Sequence, residues 1–273
     1  MKLPEALEMA VRTDPGMVRS HNEDAVFADA GLGLAILADG MGGYNAGEVA
    51  SGMATTLLAT NFSRFVPTLT AKLAEAGDID FAERHLAEEV AAANSAIFNA
   101  AQSQPQYAGM GTTLVLAWFY NNQINVAHLG DSRLYRLRDE RFEQLTKDHS
   151  LLQEQLDSGM ISPEEARYSQ NKNLVTRALG VDPEVETEIH AHDVQVGDLF
   201  LLCSDGLNDM VDDDEIALTL QTLGSKLTLA AEQLVQMAND NGGRDNISVI
   251  LVKVRGDYAS PRGWWHKLLA GLK

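Results

Sequence analysis

GTTLVLAWFYNNQINVAHLGDSRLYRLR, residues 111–138, holds three runs of apolar and β-branched residues separated by two short turns. Residues 111–119 and 123–129 flank Asn121-Asn122, a pair that reads as the tight turn of a hairpin. Residues 133–138 continue the meander after a tight turn at Gly130-Asp131. Strands joined by hairpins pair antiparallel, because a two-residue link cannot carry the chain back to start a parallel neighbour.

The same grammar extends outward. Residues 25–39, AVFADAGLGLAILAD, read as two short strands around a glycine turn. Leu199–Cys203 is a continuous apolar run, as expected of a strand buried on both faces, and Ile247–Val254 reads as the last strand. Helices are expected in blocks: 45–60, with Asn45 as cap and Glu48 returning the bond; about 80–102, with Ala82, Leu86, Val90, Ala93 and Ile97 on one face; then 149–158, 213–222 and 226–240. Residues 159–173 are a polar stretch. Neighbouring strands with helices outside them define an α+β fold built on antiparallel sheets, not a βαβ winding.

The 273 residues carry 39 acidic and 21 basic side chains, a formal charge of −18, and 45% of them are hydrophobic. That is enough apolar material for a sizeable core, and the acidic field repels nucleic acid. The lone cysteine, Cys203, excludes an internal disulfide and any zinc site built from several thiolates. The first residues lack an apolar signal-peptide region and no apolar run is long enough for a membrane span, so a soluble cytoplasmic protein is expected.

Four aspartates share one context. Asp39 ends the run LAILAD, Asp131 ends INVAHLGD, Asp205 follows LFLLCS and Asp245 precedes NISVILV. Each stands beside glycine or close to it, which is ordinary turn chemistry for any one of them. Four at the ends of the most hydrophobic strands can meet at one sheet edge, where neighbouring strands are only about 5 Å apart. Clustered carboxylates must take up cations or protons. Oxygen ligands without His or Cys select Mg²⁺, Mn²⁺ or Ca²⁺. A bridging carboxylate can hold two such ions about 3.5–4 Å apart and acidify a shared water, a site suited to a phosphate ester. Arg19, just before Glu23-Asp24, is placed in sequence to grip a phosphate bidentately, although alone it reads as a surface arginine.

VRSHNEDAV, ADGMGGYNAGEVAS, GMGTTLV, HLGDSRLYRL, LTKDHS, LVTRALG, CSDGL and GGRDNISVI occur in the order seen in the bacterial branch of the type 2C metal-dependent protein phosphatases, and the chain resembles that family over roughly residues 11–254. Each motif is weak alone, but eight in order is specific. The resemblance implies two antiparallel β-sheets flanked by α-helices, in α/β/β/α layers, and hydrolysis of phosphoserine and phosphothreonine in proteins, opposing a serine/threonine kinase. It implies two Mn²⁺ or Mg²⁺ ions, with a weaker third. By matching motif, Asp39 would bridge the metal pair, the Gly40 carbonyl would bind one ion, and Asp205 and Asp245 would complete the other. Glu23 and Asp24 would hold metal-bound waters, Asp24 also orienting the nucleophile. Arg19 would bind the substrate phosphate, and Asp131 would share the third ion with Asp205. Residues 148–177 would form a flap that touches protein substrates.

One departure concerns the general acid. Relatives carry His at the position of Met41, or three residues later at that of Tyr44, so no general acid is named; His149 and His21 are candidates with structural roles as the simpler reading. Rival functions fare worse. A phosphopeptide-binding pseudophosphatase should have lost a metal carboxylate. A cysteine phosphatase needs Arg six residues after Cys203, where Asp209 stands. The glycine-rich stretches lack the ending of a P-loop. A small-molecule phosphatase on the same scaffold stays open. Asp212–Glu215 reads as the acidic first turn of a helix.

The catalytic domain is expected over 1–255, followed by a short basic amphipathic tail, 256–273. Residues 255–273 carry four basic side chains against Asp257, about +3, with Trp264, Trp265, Leu268, Leu269 and Leu272 at helical spacing. This segment either packs on the body or docks on an anionic membrane surface or a partner protein. The body is expected to be a monomer.

Overall fold

A computed structural model describes residues 2–43, 46–76, 81–166 and 174–259. Its strands, in chain order, are β1 (Leu7–Asp14), β2 (Asp24–Asp29), β3 (Leu34–Met41), β4 (Gly111–Thr112), β5 (Leu114–Tyr120), β6 (Gln123–Leu129), β7 (Arg133–Arg138), β8 (Arg141–Gln144), β9 (Glu188–Asp193), β10 (Leu199–Cys203) and β11 (Ile247–Val254). Its helices are α1 (Leu3–Ala6), α2 (Ala46–Ala76), α3 (Phe81–Ser103), α4 (Leu151–Asp157), α5 (Pro163–Ala166), α6 (Asp205–Asn208), α7 (Asp213–Leu223) and α8 (Leu227–Asp240).

The strands form two antiparallel sheets, one in the order β1-β11-β10-β7-β8 and the other β2-β3-β5-β6-β9, with β4 beside β3. Side-chain alternation builds the layers. Ala35, Leu37, Val115, Ala117 and Phe119 of one sheet meet Phe200, Leu202, Ile250 and Val252 of the other between the sheets. The intervening residues point outward. Leu34, Ile36, Leu116 and Trp118 pack under Leu58 and Phe62 of α2 and Leu86 and Val90 of α3. Leu199, Leu201, Val249 and Leu251 pack under Ile216 and Leu220 of α7 and Leu234 of α8. The result is the expected α/β/β/α order, and the apolar run of β10 is buried on both faces because it divides two cores. Asn121 and Asn122, at φ 52° and 59°, make the left-handed pair that a type I′ hairpin needs between β5 and β6.

The expected meander does not continue past Gly130. β7 pairs with β10 in the other sheet, and the free edge of β6 pairs with β9 instead. The reason is local. Gly130 has φ +96° and lies against Thr113, so the chain turns out of one sheet and crosses to the other. α2 runs to Ala76, past the expected end at 60, with Pro67 inside it. The Asn45 cap and Tyr44 lie outside the described residues, as do 167–173 of the expected flap and 260–273 of the expected tail. Among the described residues no helix is long and apolar enough to cross a membrane.

Candidate active site

The crossing at Gly130 brings the acidic strand ends of both sheets to one edge. β2 and β3 pair so that Asp24 lies directly across from Asp39. From the other sheet, Asp205 opens α6 just after β10, and Asp245 stands two residues before β11. Asp131 sits in the turn that joins the sheets. Serine and threonine hydroxyls lock the ends together. Ser204 Oγ donates to Asp24 Oδ2 at 2.9 Å and accepts from the Ser248 amide at 3.0 Å, tying β10 and β11 to β2. Thr113 Oγ1 accepts from the Asp39 amide at 3.0 Å and shares a 2.8 Å bond with Ser132 Oγ, tying β3 to the Asp131 turn.

Two further contacts fix the rim. The Gly40 amide donates to the Glu23 carbonyl at 3.1 Å, and a β-carbon at Gly40 would strike the Gly47 carbonyl of α2, so the backbone there approaches as only glycine permits. Asn246 pins the loop that carries Arg19. Its Nδ2 donates to the carbonyls of Pro15 and His21 at 3.0 and 2.8 Å, and its Oδ1 accepts from the Glu23 amide at 2.8 Å. Arg19 Nη2 reaches Asp245 Oδ2 at 2.6 Å, while half of its side chain stays exposed.

These carboxylates feel one another. Burial, and then the charges of Asp24, Asp205, Asp131 and Asp245, holds Asp39 well above the usual carboxylate range. Burial and then Asp131, Asp209, Asp245 and Asp24 do the same to Asp205. Burial pushes Asp24 up to about 6 against the opposing bonds from Ser248 and Ser204, and Asp131 up to about 6 with help from Asp148. Glu23 rises mainly by burial, opposed by Arg19. Such a set is stable only if protons or cations occupy it. Asp24 Oδ1 is buried and has no hydrogen-bond donor among the described residues. An all-oxygen donor set with an unsatisfied buried carboxylate oxygen fits hard divalent cations.

Arg19, Glu23, Asp24, Asp39, Gly40, Asp131, Asp205 and Asp245 are therefore gathered at one edge. Two contributors escaped the sequence reading. Asp209 lies one helical turn beyond Asp205 and adds to the field on Asp131 and Asp205; its signal was the i, i+4 spacing in SDGLND. Asn246 was legible only as the neighbour of Asp245. Met41 ends β3 opposite Gly111, half-buried. His21 is exposed, and His149 is buried on the Gly130 turn. Cys203 is fully buried, and burial raises its thiol far above the ordinary value. Asp212–Glu215 form the acidic start of α7, where Asp213 accepts a 3.1 Å bond from the Tyr135 hydroxyl. A cleft of about 630 Å³ near the root of the expected flap, with Arg84, Arg177, Glu186 and Glu188 on its wall, contains none of the clustered aspartates.

Two antiparallel sheets that deliver oxygen ligands and an arginine to a shared edge define a metal-dependent phosphohydrolase. The family model for protein phosphatase 2C matches residues 18–251, and the chain belongs to that family. It is 42% identical to the serine/threonine phosphatase stp of Listeria welshimeri over 89% of this chain and 94% of that protein. It is 41% identical to the serine/threonine protein phosphatase PstP of Mycobacterium tuberculosis, of whose length it covers 45%. Among solved structures, the PstP catalytic domain in complex with two manganese ions matches with a TM-score of 0.79 at 39% identity, over 92% of this chain and 99% of that one. Stp1 from Staphylococcus aureus matches with a TM-score of 0.81 at 35% identity, over 94% and 98%.

Proposed function

We propose that this chain hydrolyses phosphoserine and phosphothreonine in proteins with two Mn²⁺ or Mg²⁺ ions, and that it opposes a serine/threonine kinase. The observation that carries this reading is the convergence of Asp24, Asp39, Asp131, Asp205 and Asp245 beside Arg19. Asp39, Asp205, Asp245 and the Gly40 carbonyl would hold the metal pair, with Asp39 shared by both ions as the family resemblance implies, and Asp131 would help to hold a weaker third. The ions, when bound, acidify water and offset the charge that develops on the phosphate. Glu23 and Asp24 act through waters. Asp24 Oδ1, buried with no hydrogen-bond donor among the described residues, would orient the attacking water and take up its proton. Arg19 binds the phosphate, and to do so its guanidinium exchanges part of its bond to Asp245 for the incoming oxygens.

The enzyme works as a cytoplasmic monomer on phosphorylated proteins, with the segment 148–177 touching the substrate. Asp257 and Tyr258, at the start of the basic tail, pack on the body; the rest of the tail, 260–273, docks on an anionic membrane surface or a partner protein. Phosphate release from a phosphothreonine peptide, with Mn²⁺ and with EDTA, tests the central reading. Turnover in Mn²⁺ alone supports it, and turnover that survives EDTA, or none in either condition, refutes it.

A further inference from the structure

Among the described residues, His128, His149 and Glu188 bring ligand atoms within 4.8 Å of one another, which invites a second metal site. The proton positions argue otherwise. His128 Nε2 lies 2.9 Å from the Lys147 carbonyl, an acceptor only, so it carries a proton. His149 Nδ1 accepts from the Gly130 amide at 3.2 Å, so its proton is on Nε2, which donates to Glu188 Oε2 at 3.0 Å. Both Nε2 atoms facing Glu188 are donors and neither offers a lone pair to a metal. The cluster is a hydrogen-bonded device, and its contacts say what it holds.

His149 grips Gly130 twice. Its own amide donates to the Gly130 carbonyl at 2.8 Å while its ring accepts from the Gly130 amide. Gly130 has φ +96°, a conformation with little intrinsic preference to keep one geometry, and the next residue is Asp131. The ring is itself fixed by two further contacts: Glu188 of β9 holds Nε2 and His128 of β6 stacks on its face at 4.8 Å. Arg133 also grips the preceding Asp148 through Nε and Nη2. The His149 carbonyl accepts from the Thr176 amide at 2.8 Å, and Ser150 bridges to Val175, so the same residue also roots both limbs of the segment 148–177.

We propose that His149, oriented by Glu188, is a positioning residue that holds the Gly130-Asp131 turn in the geometry in which Asp131 binds its cation. The inference rests on the reading of Asp131 as the ligand of the weaker third ion. It separates the ring's two bonds: the acceptor toward Gly130 sets the turn, and the donor toward Glu188 aims the ring.

Asn and Gln at position 149 test the two bonds apart. Asn places its oxygen near Nδ1 and keeps an acceptor for Gly130. Gln reaches Glu188 but leaves the Gly130 amide without its acceptor. The full chain and the variants His149→Asn, His149→Gln, Glu188→Ala and Asp131→Ala are titrated with Mn²⁺, free ion being read by electron paramagnetic resonance. Exchange protection of the Gly130 amide and thermal stability are measured in parallel. Asp131→Ala should lose the weakest class of Mn²⁺ site. His149→Gln should weaken that class about tenfold and unprotect the Gly130 amide, as loss of a partner behind a ligand does. Glu188→Ala should fall between Gln and the parent, and His149→Asn should stay within about threefold of the parent with the amide protected. If Asn and Gln weaken the site equally, or neither does while Asp131→Ala does, the positioning role is overturned and the reading of Asp131 stands. If Asp131→Ala leaves every class of site intact, the assignment of Asp131 falls and the inference falls with it.

Discussion

Arg19 Nη2 lies 2.6 Å from Asp245 Oδ2, so the arginine proposed to bind the phosphate is paired with an aspartate proposed to bind a metal. Both side chains are substantially exposed, and a pair of this kind contributes at most about 1 kcal/mol to folding. Arg19→Ala should therefore fold and bind metal normally. Its defect should lie in kinetics. Charge-assisted bonds to phosphate are worth about 1.5–3 kcal/mol, so kcat/KM on a phosphopeptide should fall roughly ten- to a hundredfold. KM should rise, and kcat should fall as well if the bonds tighten in the transition state. Unchanged kinetics would return Arg19 to the status of a surface residue.

Asp39 faces Asp24 across β2 and β3 and feels the charges of four aspartates, Asp24 among them. Asp39→Asn should abolish the tight Mn²⁺ sites and activity together, because under the proposed bridging role one carboxylate serves both ions. Asp131→Ala should retain activity at high Mn²⁺ and mainly shift the concentration required. Calorimetric titration distinguishes them, and parental Mn²⁺ affinity in Asp39→Asn would rule out the bridging assignment.

The site sets a pH dependence with a definite sign. Asp24 and Asp131 are pushed up to about 6 in the folded, metal-free protein, first by burial. The folded state thus binds protons more tightly than the unfolded chain, whose aspartates titrate near about 3.9. The stabilisation from these groups is fully present below about pH 3.9 and is lost as pH rises through about 6. Mn²⁺ replaces those protons, so the gain in Tm on adding Mn²⁺ should be small near pH 5 and grow toward pH 7, with proton release on binding near pH 6. The difference between Mn²⁺ and EDTA cancels titrations elsewhere. An equal gain in Tm at pH 5 and 7 would contradict the cluster electrostatics.

Cys203 tests the rival thiol chemistry. The side chain is fully buried, with Sγ 3.7 Å from Asn208 Oδ1, and burial keeps the thiol protonated. Cys203→Ser should keep Mn²⁺-dependent turnover within about twofold and cost about 1–2 kcal/mol, since the new hydroxyl can donate to Asn208. Activity lost in this variant without loss of fold would revive the thiol.

What the sequence made legible follows from where burial decides. The central strands β3, β5, β10 and β11 carry long apolar runs because their two faces serve two cores, and they were readable as strands. β1 and β9 were not. LEMAVRTD leaves Val11 at 42% exposure, and EIHAHD is largely polar, because both are sheet edges held by backbone pairing more than by burial. The aspartates announced themselves singly as turn residues. Their meeting depended on β7 pairing with β10 and β6 with β9, long-range choices of partner that no local spacing encodes. Asn246 was illegible for the same reason, since its partners at Pro15, His21 and Glu23 lie more than 220 residues away.

The C-terminal boundary gives the last prediction. The sequence places the end of the body at Arg255, yet Tyr258 is only 6% exposed and its ring meets Phe119 edge-on at 6.5 Å. Its amide donates to Asn122 Oδ1 at 2.8 Å and its hydroxyl to the Gln123 carbonyl at 3.2 Å, so it clasps the β5–β6 hairpin turn. Asp257 accepts from Asn122 Nδ2 at 3.0 Å beside it. Truncation after Arg255 removes a buried aromatic and should cost about 3 kcal/mol, lowering Tm by about 6–10 °C in a chain of this size. Truncation after Ala259 keeps those contacts and deletes only the segment with Trp264 and Trp265, so Tm should move little and hydrolysis of a small phosphate ester should persist. Under the docking role proposed for that segment, the shorter deletion alone should abolish binding to anionic liposomes or to the partner. A large fall in Tm after removal of 260–273, with liposome binding unchanged, would make the segment part of the body instead.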